Sequence, residues 1–268
     1  MNVSPAMMTK ITLPQYAMKL KHSVSSSQSQ VSEGRPVIEG VLFDLFGTLV
    51  DYEVGRGAQD FAEFCATARD LGVDRRNEAI LALFDESFAL CEATAADSLI
   101  EFSMADSMSI FVERAGLLRN QTAIERLVDS YMACWMQSVH PLRGINRLVK
   151  RVAKHYRVGL ISNTHYPPMV DYLIDAMELT ELFEVVTTSA QHGRRKPHPG
   201  IFADTLDTMS LAPENAIYVG DNYSDDYVGS RNAGLSCLLV GRHARVPVDR
   251  QLRTIFDLPI DLDKALKR

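Results

Sequence analysis

The chain has 268 residues, 46% hydrophobic and 23% charged, with a net charge of −6, which suits a globular protein of one large domain or of a core with an insertion. The acidic balance argues against a general nucleic-acid or anionic-membrane binder, and no apolar run approaches the roughly 18 residues of a membrane-spanning helix. Cys65, Cys91, Cys134 and Cys237 are scattered without a C-x-x-C spacing; this argues against a disulfide framework or a zinc site and for reduced thiols in the cytoplasm.

Residues 1–32 contain no Asp or Glu and include the run Ser25–Ser26–Ser27–Gln28–Ser29–Gln30. Such a stretch buries little apolar surface and reads as a disordered extension, taken to residue 35. Organelle targeting is the weaker reading, because no arginine precedes Arg35. The segment Val37–Phe43 is short, apolar and rich in β-branched residues, which predicts a buried strand ending at Asp44.

From about 58 to 139 the periodicity is helical. Phe61, Phe64, Cys65 and Ala68 form one stripe, and Ile80, Leu83, Phe84 and Phe88 a second. A third runs through Ile124, Leu127, Val128, Tyr131, Met132, Trp135, Met136 and Val139. Stripes of this spacing are the packing faces of helices. After Pro141, helices alternate with short strands. The predicted strands are Val158–Ile161, Val185–Thr187, Ala216–Val219 and Cys237–Val240; the last predicted helix lies near Asp226 to Ala233. That alternation implies βαβ crossovers and a parallel sheet covered on both faces.

Ligands of such sheets bind beyond the carboxyl ends of the strands. Four polar groups stand at or near those ends: Asp44-Leu45-Phe46-Gly47-Thr48; Ser162-Asn163-Thr164; Lys196-Pro197; and Gly220-Asp221-Asn222-Tyr223-Ser224-Asp225-Asp226. They offer carboxylates for a hard divalent cation, and a lysine with backbone N–H groups for an anion. Phosphoryl transfer requires that equipment. Each group has a plainer reading: Asp44 as a turn former, Thr48 and Ser162 as capping hydroxyls, Lys196 in a solvated basic loop after Arg194 and Arg195, and Asp225 as a helix N-cap.

In their order, the four groups resemble the motifs of the haloacid-dehalogenase-like superfamily. The resemblance implies a Rossmann-like α/β core over 36–51 and 141–268, with an all-helical cap inserted at 52–140. It implies that Asp44 is a covalent nucleophile, oriented by Thr48. Ser162 and the backbone N–H of Asn163 would bind the transferring group, and Lys196 would neutralise its charge. Mg²⁺ would be held by Asp44, Asp221 and the backbone carbonyl of Phe46, with Asp226 and secondarily Asp225 in support.

One position departs from the pattern. Phosphatases of that superfamily usually carry a second aspartate two residues after the nucleophile, as general acid and base; here the residue is Phe46. Dehalogenases have an aromatic residue there, yet they need no metal and usually lack the first acid of the last motif. Retention of Asp221 and Asp226 favours phosphoryl chemistry, because converging carboxylates without a cation repel one another. The halide-binding arginine of a dehalogenase has no secure counterpart, although Arg56, Arg69 and Arg75 are candidates. His165 and Glu53 are candidate substitute proton donors, with a surface imidazole and a solvated hinge carboxylate as the plainer readings.

The leading expectation is thus a Mg²⁺-dependent phosphatase or phosphotransferase acting on a small phosphorylated metabolite. A metal-independent 2-haloacid dehalogenase and a catalytically weak binding homologue are the alternatives. The sequence is silent on oligomeric state.

Overall fold

In this computed structural model of the protein, the described residues are 37–52, 59–259, 261 and 262. The expected extension over 1–35, together with Glu53 and Arg56, lies outside them.

Strand β1 (Gly40–Phe43) is followed by β2 (Val50–Tyr52) and then by four helices: α1 (Ala62–Asp70), α2 (Asn77–Ser98), α3 (Met104–Arg114) and α4 (Gln121–Trp135). Next come β3 (Val139–Pro141), α5 (Ile145–Val152), β4 (Arg157–Ser162), α6 (Pro167–Ala176), β5 (Phe183–Thr188), α7 (Ser189–His192) and α8 (Pro199–Thr208). The described chain closes with β6 (Ala216–Gly220), α9 (Gly229–Asn232), β7 (Ser236–Val240) and β8 (Gln251–Leu252).

The main sheet has the order β5-β4-β1-β6-β7-β8, and every pairing in it is parallel. From β1 the chain steps outward through β4 and β5, then returns to place β6 on the other side of β1. The crevice at that reversal is where such sheets bind ligands. Alternate strand residues serve opposite faces. Val41, Phe43, Leu160 and Val219 enter one core cluster, while Leu42, Ile161, Tyr218 and Leu239 enter the other. This is the parallel sheet covered on both faces that the alternation of helices and strands predicts, and the Rossmann-like α/β core that the resemblance implies.

The helical stripes bury as their spacing requires. Phe61, Phe64, Cys65 and Ala68 of the first stripe are all buried, as are Ile80, Leu83 and Phe84 of the second. In the helical insertion, Phe64, Phe84, Phe111 and Tyr131 form one aromatic knot, with Phe84 and Tyr131 centroids 4.2 Å apart and Phe64 and Tyr131 5.2 Å apart. Burying each such ring is worth roughly 1.5–3 kcal/mol. Helix α3 starts at a capping box, in which Ser103 and Asp106 satisfy each other's backbone N–H groups.

Three expectations about elements need correction. The stripe ending at Val139 is not one helix: α4 stops at Trp135, a 3₁₀ turn covers Met136–Ser138, and Val139 opens β3. The cause is local, because Pro141 disfavours helical backbone at His140. Instead, β3 pairs antiparallel with β2 through Val50↔Pro141, Asp51↔His140 and Tyr52↔Val139, so a two-stranded ribbon flanks the helical insertion. The first strand begins at Gly40, since Val37 is exposed. The element expected near Asp226 begins as a π-helical turn over Tyr223–Val228, and its N-cap is Asn222, not Asp225.

The insertion also touches the core away from its ends. Ile100 and Arg194 form an antiparallel bridge, Arg195 N–H donates to the Leu99 carbonyl (3.0 Å), and Met104 N–H donates to the His165 carbonyl (2.8 Å). None of the described helices is long and apolar enough to cross a membrane.

Candidate active site

Asp44 leaves β1 with its N–H donating to the Val219 carbonyl at 2.9 Å, which fixes the side chain at the carboxyl edge of the sheet. The turn after it is tight: the Leu45 carbonyl accepts from the N–H groups of Thr48, Leu49 and Val50. Gly47 has φ +83° and lies against Asp221, so a Cβ there would fall 2.7 Å from the Asp221 Cγ. Glycine supplies both the left-handed backbone and the close approach. Gly220 supplies only the close approach in the last motif, where a Cβ would overlap the carboxylate of Asp226.

The residues expected to act together converge. Thr48 Oγ1 lies 3.1 Å from Asp44 Oδ2 and 3.3 Å from Asp221 Oδ1. Lys196 Nζ donates to Asp44 Oδ1 at 2.7 Å, to Asp226 Oδ1 at 2.6 Å and to the Tyr218 hydroxyl at 2.8 Å. Only 3% of Lys196 is exposed, so the solvated-loop reading of that lysine is overturned. Asn163 grips the backbone of Lys196: its amide donates to the Lys196 carbonyl at 3.1 Å, and its oxygen accepts the Lys196 N–H at 2.8 Å. Asp226 Oδ2 accepts the N–H of Asn222 at 2.8 Å, within the π-helical turn, a backbone form frequent at functional sites.

Ser162 is fully buried at the end of β4, and its hydroxyl has no hydrogen-bond partner among the described residues. A buried orphan hydroxyl costs about 1–3 kcal/mol unless a ligand satisfies it.

The electrostatics point the same way. Burial, together with Asp226 and Asp221, pushes the Asp44 carboxyl up to about 7 against the opposing pull of Lys196. Burial and Asp226 raise Asp221, and burial lifts Asp225 to about 6. Although burial opposes its charge, Asp226 and Asp44 hold Lys196 firmly ionised. One oxygen from each of Asp44, Asp221 and Asp226 falls within a span of 4.8 Å. Three carboxylates around one ammonium leave excess negative charge, which a hard divalent cation would balance with oxygen ligands. The donor set therefore fits Mg²⁺, and the orphan serine fits an anionic group beside it.

Next to this cluster lies a cavity of about 390 Å³ whose lining includes Phe46, Tyr52, Trp135, Asn163, His165 and Tyr166. Phe46 and Asn163, close chain neighbours of Asp44 and Ser162, connect it to the chemistry. His165 is no free surface imidazole, since its side chain is 23% exposed and pinned at Nδ1. Arg69 and Arg75 are solvent-exposed and line no part of the cavity.

Several members of this constellation escape sequence reading. Tyr218, the third partner of Lys196, carries one weak signal, a phenol in the otherwise aliphatic strand Ala216–Gly220. Glu101 reaches His165 from a distant segment and Arg195 in turn reaches Glu101, and no spacing marks either.

Comparison with known proteins agrees with this fold. The profile described as haloacid dehalogenase-like hydrolase matches residues 74–240, more than half of the chain. The chain is 36% identical over 93 residues to a glyceraldehyde 3-phosphate phosphatase of Methanothermobacter thermautotrophicus, covering 35% of this chain and 41% of that one. It is 23% identical over 246 residues to haloacid dehalogenase-like hydrolase domain-containing protein 3 of Danio rerio, covering 85% and 98%. The human protein of that name is 39% identical over 95 residues, covering 35% and 37%. The matched region thus spans less than half of two of these three relatives. Among solved structures, a 2-haloacid dehalogenase from Pseudomonas syringae pv. Tomato superposes with TM-score 0.58 at 21% identity, covering 87% and 99%. A HAD phosphatase from Thermococcus onnurineus gives 0.52 at 20%, covering 85% and 98%; both share the fold.

Proposed function

The chain belongs to the haloacid dehalogenase-like hydrolases, and from that premise we propose that it is a Mg²⁺-dependent phosphatase or phosphotransferase working through an aspartyl-phosphate at Asp44. One observation carries the reading: the three-carboxylate cluster of Asp44, Asp221 and Asp226, two of whose members, Asp44 and Asp226, pair with the buried Lys196. Carbon–halogen cleavage by Asp44 needs no such cluster, whereas phosphoryl transfer needs its charge balanced. Relatives named glyceraldehyde 3-phosphate phosphatase support the same choice.

Asp44, Asp221 and Asp226, with the carbonyl of Phe46, would hold the cation, directly or through water. When bound, Mg²⁺ neutralises phosphoryl charge and aligns attack. The protein's own groups do the rest. Thr48 fixes the Asp44 carboxylate, so that its free lone pair meets phosphorus. Lys196 spreads the charge shared by nucleophile and phosphoryl oxygens, while Asn163 locks the lysine backbone in place. The Ser162 hydroxyl and the Asn163 N–H donate to the transferring group. The helical insertion, with bounds near 52 and 140, acts as the cap that excludes water.

The substrate we propose is a small phosphate ester whose leaving group has an apolar or aromatic body, because aromatic rings and methionines dominate the cavity lining. Neither nucleic acid nor membrane is a partner in this reading. A cytoplasmic setting goes with it, in keeping with four cysteines that are all unpaired. A panel of phosphorylated metabolites and 2-haloacids, each run with Mg²⁺ and with chelator, tests the proposal. Phosphate release that requires Mg²⁺ supports it; chloride release in chelator without phosphate release overturns it.

A further inference from the structure

A phosphate ester leaves as an oxyanion that needs a proton unless it is already a weak base, and Phe46 cannot supply one. We propose that His165 is the general acid and base of this site, a catalytic residue donating through Nε2 to the leaving oxygen. The inference rests on the phosphatase reading above.

Geometry carries it. His165 lines the same cavity as Phe46 and Asn163, so a leaving group seated there meets the imidazole. Its Nδ1 lies 3.1 Å from the Phe102 carbonyl oxygen and 3.2 Å from Glu101 Oε1. Both partners can only accept, so Nδ1 carries a hydrogen and Nε2 is the nitrogen free to exchange one. Among the described residues Nε2 has no hydrogen-bond partner. The ring is clamped, stacked on Phe102 at 4.1 Å and 24° and edge-on to Phe88 at 5.0 Å and 88°.

Behind the ring stands a buried carboxylate. Only 1% of the Glu101 side chain is exposed; it accepts from Ser189 Oγ at 2.6 Å and is paired with Arg195, itself paired with Glu92. Burial alone would raise the Glu101 carboxyl, but bonds from His165, Arg195 and Ser189 hold it down at about 2. A fixed carboxylate on Nδ1–H orients an imidazole and stabilises the imidazolium, as in the serine-protease triad. Glu101 is the positioning residue of the pair.

Other proton carriers on the cavity wall suit the task less well. The phenols of Tyr52 and Tyr166 are weak acids made weaker by burial, Tyr166 rising to about 12 beside Asp129. Asp85 is solvent-exposed.

In the first half-reaction an Asp44 oxygen bonds to phosphorus and the ester P–O bond breaks. The electron pair of that bond stays on the leaving oxygen, which takes the Nε2 proton. In the second, water attacks phosphorus and gives its proton to Nε2, and the Asp44 carboxylate leaves with the electron pair of its P–O bond. Imidazolium is restored.

Two substrates of similar shape separate the roles: p-nitrophenyl phosphate, whose leaving group needs no proton, and benzyl phosphate, whose alkoxide does. Alcohol or phenol release is followed in the first turnover with Mg²⁺, which reads transfer to Asp44 alone. His165→Gln should slow benzyl alcohol release about 10²–10⁴-fold and change p-nitrophenol release by less than about threefold. Adding Phe46→Asp to that variant should return part of the benzyl rate, which a folding defect could not explain. Equal losses on both substrates, or no loss on benzyl phosphate, would overturn the role of His165 and leave the phosphatase reading standing. Release of neither product by the unaltered protein overturns both.

Discussion

The ring of Phe46 meets the indole of Trp135 edge-on, with centroids 6.0 Å apart and planes at 77°. Two residues past Asp44, the core thus touches the last residue of the cap's last helix, and Tyr52 completes the trio at 5.7 Å from Phe46. At the position where the resemblance implies a proton donor in phosphatases, this chain has a packing contact and an apolar wall. Phe46→Ala should therefore lower stability by about 1–3 kcal/mol, seen as a drop in Tm. It should also raise KM for aryl phosphates more than it lowers kcat, the signature of lost uniform binding.

The carboxylates divide by role. Asp221 stands beside Asp44 and Thr48, whereas Asp225 lies outside the three-acid cluster. In calorimetric Mg²⁺ titrations, Asp221→Asn should weaken binding by at least about tenfold, and Asp225→Asn by about threefold or less. Equal effects would mean that the cluster is assigned wrongly.

Gly47 holds the first motif against the last. Gly47→Ala forces a side chain into φ +83° and into the Asp221 carboxylate, at a backbone cost of about 1 kcal/mol or more. Activity should fall far more than Tm, about a hundredfold, because the displaced group is the proposed cation ligand Asp221 and not a core residue. Steady-state kinetics beside thermal melts would separate the two.

Asp44 makes stability depend on pH. Its carboxyl sits near 7 in the folded chain against 3.8 ordinarily, so between those values the folded state holds a proton that the unfolded state has lost. Stability from this group is complete below about pH 4 and is lost as pH rises through 7. Melts without metal should show that decline between about pH 4 and 7, flattened in Asp44→Asn. Mg²⁺ should raise Tm more at pH 8 than at pH 5, because it binds the deprotonated carboxylate.

Much of this site was legible in the sequence because strand-end chemistry is local. Asp44, Ser162 and Asp221 each follow an apolar run, and a parallel sheet brings such positions together without further information. Contacts made by folding over distance were not legible. Glu101 meets Arg195 across 94 residues, and Tyr218 reaches Lys196 only because β6 lies beside β1. The end of α4 was misread since apolar spacing continues through Val139, while the backbone obeys Pro141. His165 was visible as a residue type, but its standing depends on the carboxylate behind it.

Everything above depends on Asp44 taking a phosphoryl group. The direct measurement is mass spectrometry of the protein quenched in acid during turnover of p-nitrophenyl phosphate with Mg²⁺. The account predicts one added phosphoryl group on the peptide containing Asp44, absent in Asp44→Asn and in chelator. An unmodified peptide in the course of active phosphate release, or the group carried on a different residue, would contradict it.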